Sequence, residues 1–366
     1  MNWNLQLHKL QVDMTSHCNA RCGACIRNVD GGETRQGLLL THFDLDLWKR
    51  IASKDTKGWW IRELTLNGNW GDPMMHPHLV EMLEYWTNCH PETFITIATN
   101  GSMRGPQFWA DLAKVLRNGC QHKVDFAIDG MEDTHHLYRR RTIFSKIVEN
   151  VKSFASAGGA ATIQMTMFEH NKHQIEDVKE LSRTMGAKQF VARRSFTGDN
   201  IVTIKDVDEE YTIKGYYPSG KADFNGLDNS ELSQQFPENE NPVSDLKDAD
   251  VYLEANLRFG EMEIFYEKSK CPWHQQGEVQ IDPWGTVWPC CHISLYGGGE
   301  ASSYMSVTKD FNEEAEHLIN DGKKENNLHN DSLQNILNNE WFNERVDKAV
   351  KNADWKICRN TCGVCK

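Results

Sequence analysis

Short apolar runs alternate with amphipathic segments through the first half of the chain. Six of these runs are rich in β-branched and aromatic residues and predict strands, while the segments between them repeat apolar residues at helical spacing. Regular alternation of strands with helices favours a parallel sheet, because each parallel pair needs a long crossover connection. The strands are predicted at 8–14, 63–66, 94–98, 124–128, 162–167 and 189–192.

Helical patterns fill the gaps between the predicted strands, most clearly over 107–116, 144–156 and 175–185. Pro106 and Gly158 stand at helix boundaries, where these residue types are common. The sequence therefore predicts an α/β fold with a partial (β/α)6 barrel of the TIM type. Active sites of βα barrels lie at the carboxyl ends of the strands, so the residues that follow each strand form the candidate site.

The composition suits a soluble globule with more than one structural unit. The chain has 366 residues, of which 39% are hydrophobic, and this is enough for a sizeable core. A net charge of -12 argues against a nucleic-acid partner, which would need clustered positive charge. No secretion signal and no apolar stretch near the ~20 residues of a membrane span are found. We therefore expect a cytoplasmic protein without membrane association.

Cysteine is clustered in a way that indicates metal binding. Three of the 11 cysteines, Cys18, Cys22 and Cys25, are spaced Cys-x3-Cys-x2-Cys directly after the first predicted strand. Three thiolates leave one iron of a cubane cluster without a protein ligand, and an open metal position is where chemistry can occur. The alternative is a zinc knuckle. It lacks a nearby fourth ligand at suitable spacing, since His17 is adjacent to Cys18.

This motif resembles the signature of the radical S-adenosylmethionine (radical SAM) superfamily, whose open iron holds the amino and carboxylate groups of SAM. The turns after the second and third strands are similar to two further motifs of that family. One resembles its Gly-Gly-Glu-Pro motif, with Asp in place of Glu, and the other is a Thr-Asn-Gly turn that approaches the ribose and methionine portions of SAM. The resemblance implies cofactor-binding roles for Gly68, Gly71, Asp72, Pro73, Thr99 and Asn100.

The remaining strand ends extend the resemblance. Asp129-Gly130 and the arginines 139–141 are similar to a family stretch Ser-x-Asp-Gly followed by a Tyr-Arg pair, with Ala127 at the serine position. Alanine cannot give the hydrogen bond to the SAM carboxylate that the family's serine would give. The resemblance therefore implies that an arginine alone binds this carboxylate. Each turn alone would be an ordinary one, but their order at successive strand ends favours a single site. The further cofactor-binding candidates are Asp129, Arg140, Arg141, Asn171 and Arg193.

The chain departs from the family pattern inside the cysteine motif. Many family members carry an aromatic residue just before the third cysteine, and Ala24 occupies that position here. The resemblance implies that a packing contact to adenine is lost while all three metal ligands are retained.

A second group of cysteines lies in the last hundred residues. Cys271 and Cys290 flank a predicted β-hairpin that turns at 283–285, and three more cysteines close the chain. This arrangement resembles the SPASM and twitch modules of radical SAM enzymes, which carry auxiliary 4Fe–4S clusters. The resemblance implies one auxiliary cluster, whereas a structural zinc site with the same thiolates is the alternative. The implied ligands are Cys271, Cys290, Cys362 and Cys365, with Cys358 as a possible replacement for one of them.

The sequence thus predicts three parts: the barrel over 1–205, an acidic linker or lid over 206–260 and the cysteine-rich module over 261–366. The resemblance implies reductive cleavage of SAM and hydrogen abstraction from a small-molecule or peptide substrate. It further implies a net oxidation with the auxiliary cluster as acceptor, and a reducing partner such as a flavodoxin or ferredoxin. A non-catalytic iron–sulfur or zinc protein on a degenerate scaffold is the alternative.

Overall fold

The structure is a computed structural model, which describes residues 7–117, 122–195, 201–207, 209–216, 271–297 and 313–351. Six strands run parallel and pair with their neighbours in chain order, and this confirms the predicted α/β partial barrel. Each strand lies within two residues of its predicted bounds. They are β1 (Lys9–Asp13), β2 (Glu63–Asn67), β3 (Phe94–Thr99), β4 (Lys123–Ala127), β5 (Ala160–Met167) and β6 (Gln189–Arg194).

Helices connect these strands in the predicted order. The first continues into a π-helical turn at Ile51–Asp55, and a second helix precedes β3. Pro106 lies at the start of the third, where its missing N–H costs no hydrogen bond. The helices are α1 (Leu45–Arg50), α2 (Leu79–Cys89), α3 (Pro106–Val115), α4 (Glu132–Tyr138), α5 (Phe144–Ser156) and α6 (Ile175–Thr184).

The two faces of the sheet differ sharply in polarity. Apolar residues such as Leu64 and Ile97 are fully buried beneath the helices, together with Trp48, Trp86 and Trp109. Each buried side chain of this size contributes about 1.5–3 kcal/mol relative to exposure. The alternate positions point to the opposite face, which we call the inner face. Its residues are mostly polar and include Gln11, Asp13, Thr65, Asn67, Thr96, Asp125, Gln164 and Thr166.

The C-terminal module joins the barrel sheet directly. Strand β9 (Glu278–Ile281) runs parallel to β1, and β10 (Val287–Trp288) returns antiparallel to β9, so the sheet has eight strands. The predicted hairpin turn is confirmed, with Gly285 at a φ of 85° that favours glycine. The sequence analysis did not predict the pairing of β9 with β1, because alternation predicts a strand but not its neighbour.

Short helices complete this module. The extended backbone of Asn339 ends one helix before a π-helical segment begins at Trp341. Among the described residues, no helix is long and apolar enough to cross a bilayer. The helices are α7 (Pro272–Gln275), α8 (Cys291–Gly297), α9 (Glu313–Glu325), α10 (Leu333–Asn338) and α11 (Asp347–Lys351).

A separate two-stranded hairpin follows the barrel. Its strands are β7 (Ile201–Asp206) and β8 (Glu209–Lys214), which pair antiparallel with each other. The predicted boundary at 206 falls within this hairpin, and most of the predicted linker or lid lies outside the described residues. The division into three parts therefore stays a prediction.

Glu278 makes the junction between the module and β1 sensitive to pH. Its side chain is buried at the sheet and accepts a hydrogen bond of 3.0 Å from Gln11. Burial raises the pKa of Glu278 from 4.5 to about 7, although Lys9 and the Gln11 hydrogen bond act in the opposite direction. The folded chain therefore binds this proton more tightly than the unfolded chain, and the associated stability is lost as pH rises through about 7.

We expect Glu278→Gln to raise the free energy of unfolding by about 1–3 kcal/mol at about pH 8 and to leave it nearly unchanged at about pH 4.5. Urea unfolding at both pH values measures this difference, with the exposed Glu84→Gln as control. An equal gain at both pH values would show that the buried charge is not its cause.

Candidate functional site

The three cysteines of the first motif lie on one compact loop that begins directly after β1. Cys22 is buried, and Cys18 and Cys25 are half-buried. The loop is closed by the amide of Cys25, which donates to the carbonyl oxygen of Cys22 at 3.2 Å. The buried Arg27 donates from Nε to the Ser16 carbonyl at 2.9 Å and ties the loop to its own beginning. The barrel therefore presents three thiols at the carboxyl edge of its sheet.

Burial and one arginine act in opposite directions on these thiols. Burial raises the pKa of Cys22 to about 11, while Arg139, which donates from Nη1 to Sγ at 3.6 Å, lowers it. The pKa values of Cys18 and Cys25 are also raised by burial. Metal ligation requires the thiolate, and a neighbouring cation stabilises it. Among the described residues, no three His, Cys, Asp or Glu side chains converge on the position of a single metal ion. A cubane cluster does not require this, because each thiolate binds a different iron.

The carboxylate of Asp72 joins the turns after β2 and β3. It accepts hydrogen bonds from the Met74 amide at 2.9 Å, the Thr99 hydroxyl at 2.9 Å, the Asn100 amide at 2.7 Å and the Asn100 side chain at 2.6 Å. Burial raises the pKa of Asp72, and these hydrogen bonds oppose the shift. A buried carboxylate is stable only when it is satisfied in this way. The two turns are thus held as one unit.

This unit extends into the cysteine loop through two side chains that the sequence analysis missed. Asn100 Nδ2 donates to Asn19 Oδ1 at 2.9 Å, and Asn19 Nδ2 donates to Ser102 Oγ at 2.7 Å. Asn100 Nδ2 also lies 4.0 Å from Cys18 Sγ. The only sequence signal for Asn19 and Ser102 is their position, inside the cysteine motif and one residue after the Thr-Asn-Gly turn.

The glycines of the turn after β2 allow direct contact with the cysteine loop. A Cβ at Gly71 would overlap the carbonyl oxygens of Thr15 and His17, and one at Gly68 would lie 2.8 Å from the Gly71 carbonyl oxygen. The Asp72 amide donates to the His17 carbonyl at 2.9 Å. Pro73 then begins a 3-10 turn that Asp72 caps. A bulkier residue at Gly71 would separate the turn from the loop, and one at Gly68 would distort the turn itself.

Asp129 and Asn171 hold the turns after β4 and β5. Asp129 is fully buried and accepts from Arg139 Nε at 2.5 Å and from the Thr166 amide. Asn171 Nδ2 donates to the carbonyls of Asp129 and Thr166 at 3.0 and 2.9 Å. Because Arg139 also contacts Cys22, this pair of turns is linked to the cysteine loop as well.

The other predicted arginines lie elsewhere. Arg140 pairs with Asp206 and Glu209 of the hairpin at 2.6 and 3.1 Å, and Arg141 lies 3.5 Å from Asp206. Arg193 is exposed at the end of β6, opposite Thr166 on the inner face. The structure thus brings together the cysteine loop, Asp72, Thr99 and Asn100, and it pairs Arg140 and Arg141 with carboxylates of the hairpin.

The second cysteine group is described in part. Cys271 directly precedes α7, and burial raises its pKa. Cys290 is buried between β10 and α8. Cys358, Cys362 and Cys365 lie outside the described residues, so the four-thiol set of the module stays a prediction.

Comparisons with known families match both halves of the chain. The model of the radical SAM superfamily matches residues 12–182. The model of an iron–sulfur cluster-binding domain, SPASM, matches residues 271–365. Together the two matches include the three cysteines of the first motif and the five cysteines named in the second group.

Curated relatives match part of the chain at low identity. GTP 3',8-cyclase of Desulforamulus reducens is 23% identical over 154 residues, which is 41% of this chain and 43% of the relative. The antilisterial bacteriocin subtilosin biosynthesis protein AlbA of Bacillus subtilis is 23% identical over 180 residues, which is 49% of this chain and 37% of AlbA. The chain therefore matches about two fifths of the length of these relatives.

Solved structures share the fold over nearly the whole chain. Streptococcus suis SuiB bound to precursor peptide SuiA aligns with a TM-score of 0.52 at 13% identity, covering 94% of this chain and 66% of SuiB. The structure of anSMEcpe with bound AdoMet aligns with a TM-score of 0.51 at 14% identity, covering 97% and 84% of the two chains. At these identities the likeness shows the fold.

We expect Asp72→Asn to destabilise the site, because an amide group would face donors where the carboxylate now accepts. The free energy of unfolding should fall by about 1–3 kcal/mol. Amide hydrogen exchange at Asn100 should accelerate. Thermal unfolding and exchange mass spectrometry measure the two effects, with the exposed Asp177→Asn as control. Unchanged exchange at Asn100 would contradict the role of this carboxylate.

Proposed function

The chain belongs to the radical SAM superfamily and carries a C-terminal SPASM iron–sulfur domain, and from this premise we propose that it is an enzyme that oxidises a polar substrate. The observation that carries the proposal is the continuous hydrogen-bonded connection from Asp72 through Asn100 and Asn19 to the cysteine loop. This connection joins the cysteine loop, the turn after β2 and the turn after β3, which the family uses to bind its cluster and SAM. A degenerate scaffold would have no need to retain it.

The residues of the site fit the cofactors of the family, a 4Fe–4S cluster and SAM. Cys18, Cys22 and Cys25 would hold three irons and leave the fourth for SAM, and the cation of Arg139 beside Cys22 stabilises a thiolate. When bound, the cluster and SAM supply a 5'-deoxyadenosyl radical that takes a hydrogen atom from the substrate. The role of the protein is to position the reactants and to exclude water.

The side chains around the cysteine loop divide into two roles. We assign contact with SAM to Gly68, Gly71, Pro73, Thr99 and Asn100, which line the turns beside the loop. Asp72 acts as a positioning residue, because its oxygens are already engaged by the Thr99 and Asn100 side chains and by two amides. Asp129 and Asn171 likewise position the turns after β4 and β5.

The inner face of the barrel supports a polar substrate. Its side chains carry amides, hydroxyls and charges, and an apolar ligand would leave these groups desolvated without partners. The relatives include proteins of both substrate classes by name, since GTP is a small molecule and SuiB is bound to a precursor peptide. The exposed cation of Arg193 on this face suits a carboxylate, and we assign it to SAM.

The position of the SPASM module supports a net oxidation with an auxiliary cluster as the electron acceptor. Its strand β9 pairs with β1, the strand that leads directly into the cysteine loop. Gln280 of β9 donates to the Asp13 carboxylate of β1 at 3.0 Å. The module that carries Cys271 and Cys290 is therefore built onto the same strand as the first three cysteines. An oxidised substrate requires the loss of a second electron and a proton after hydrogen abstraction.

We expect the chain, after anaerobic reconstitution with iron and sulfide and chemical reduction, to form 5'-deoxyadenosine from SAM. Cys22→Ala should lower this yield by at least about a hundredfold, because one cluster ligand is lost. Cys89→Ala, which removes an exposed thiol outside both groups, should not lower it. Chromatography of the products and iron content measure the outcome. An intact cluster without SAM cleavage would favour an electron-transfer protein.

We expect Arg193→Gln to weaken SAM binding by about tenfold or more, because a charge-assisted hydrogen bond to the SAM carboxylate is lost. Isothermal titration of the reconstituted chain with SAM measures this, with the exposed Arg183→Gln as control. An unchanged affinity for SAM would assign Arg193 to the substrate instead.

A further inference from the structure

The hairpin of β7 and β8 packs against the cysteine loop. Ile204 and Ile213 are 0% and 3% exposed, and they form one apolar cluster with Ala20, Cys22, Tyr138 and Phe168. Ala24, which stands where many family members carry an aromatic residue, packs against the same cluster, together with Val202 and Tyr211. The hairpin thus supplies apolar contact beside the loop where its own sequence has a small side chain.

The loop and the hairpin approach each other so closely that glycine is required. A Cβ at Gly23, between the second and third cysteines, would overlap the side chain of Ile204. A Cβ at Gly32 would lie 2.7 Å from the carbonyl oxygen of Lys205, and the Lys205 amide donates to the Asp30 carbonyl at 2.8 Å. The two segments are therefore fitted to each other along their length.

Arg140 connects the hairpin to the cysteine loop. Its guanidinium donates to Asp206 at 2.6 Å, to Glu209 at 3.1 Å and to the Tyr211 hydroxyl at 3.3 Å. Its carbonyl oxygen accepts from the Arg21 amide, inside the cysteine motif, at 2.9 Å. The Arg140 and Asp206 side chains are only 10% and 12% exposed, so solvent screens this pair less than an ordinary surface pair.

The far end of the hairpin is attached to the barrel. The Glu169 amide donates to the Lys214 carbonyl at 2.9 Å, and the Tyr216 amide donates to the Met167 carbonyl at 3.2 Å. These bonds lie at the carboxyl end of β5, one residue on either side of Phe168. The ring of Phe168 lies 4.6 Å from that of Tyr138 within the cluster behind Cys22. The hairpin is therefore held at both ends.

We propose that the hairpin of β7 and β8 is a brace that fixes the cysteine loop for cluster binding. The inference rests on the proposed cluster at Cys18, Cys22 and Cys25. Ile204 and Arg140 are then positioning residues, which act through the loop rather than on SAM. A loop that is already ordered loses less conformational entropy when metal binds to it.

Hydrogen exchange of the chain without metal tests the brace independently of any cluster. We expect Ile204→Ala and Arg140→Gln to accelerate exchange over residues 18–28 by about tenfold or more, since local opening becomes easier. Ile201→Ala and Lys205→Gln are matched controls in the same hairpin, because their side chains are 66% exposed, and they should leave exchange unchanged. Unchanged exchange in the first two variants would overturn the brace. Ile204→Val keeps the test valid if Ile204→Ala unfolds the chain.

A double-mutant cycle tests the contact itself. Gly23→Ala should accelerate exchange in the loop by displacing Ile204. The double variant Gly23→Ala with Ile204→Ala should accelerate exchange by less than the two single effects combined, because alanine at position 204 leaves room for the new Cβ. Strictly additive effects would show that the two residues do not act on each other and would overturn this contact.

Reconstitution separates failure of the brace from failure of the proposed function. The baseline for iron content is a variant with all three loop cysteines changed to alanine. Ile204→Ala should bind less iron than the parent and lose its visible absorbance several-fold faster in air. A parent chain with no more iron than that baseline would contradict the proposed cluster, while the exchange result would still decide the brace. Equal iron and equal air stability in the parent and Ile204→Ala would overturn the brace alone.

Discussion

The buried carboxylate of Asp72 is the interaction on which the rest of the site depends. An ionised carboxylate away from water must have each oxygen hydrogen-bonded, so the turns after β2 and β3 have little freedom to move apart. Asn100, which is fixed by this carboxylate, in turn fixes Asn19 in the cysteine loop. Aspartate suits this role because its side chain is shorter than that of the glutamate in the family motif, so the carboxylate stays within the turn that begins at Gly68.

The cysteine loop contacts both the turns of the barrel and the hairpin. Neighbouring arginines serve the two sides: Arg139 bonds Asp129 and contacts Cys22, while Arg140 bonds the carboxylates of the hairpin. Their different directions follow from the backbone, because α4 ends at Tyr138 and Arg139 leaves helical geometry with a φ of -88° and a ψ of 60°. A turn of this kind sends consecutive side chains to different surroundings. The end of α4 therefore directs Arg139 and Arg140 to different partners.

The sequence predicted the six barrel strands within two residues, because strand and helix periods alternate clearly and each strand buries one apolar face. It also placed the cysteine loop and the turns at 68–73 and 99–101 at strand ends, where the structure joins them. Local patterns contain no information on long-range partners, so the roles of Asn19 and Ser102 and the pairing of Arg140 with Asp206 were not predicted. The hairpin was missed for the same reason, since its apolar residues pack against the cysteine loop and not against the sheet.

The C-terminal module extends the sheet of the barrel beyond β1. Strands β9 and β10 lie beside β1, so the backbone edge of β1 is paired rather than exposed. In the described part of the chain, the other end of the sheet is β6, whose last inner-facing side chain is the exposed Arg193. The module therefore extends the barrel sheet at β1, and the same attachment joins the segment that carries Cys271 and Cys290 to the strand that leads into the first cysteine loop.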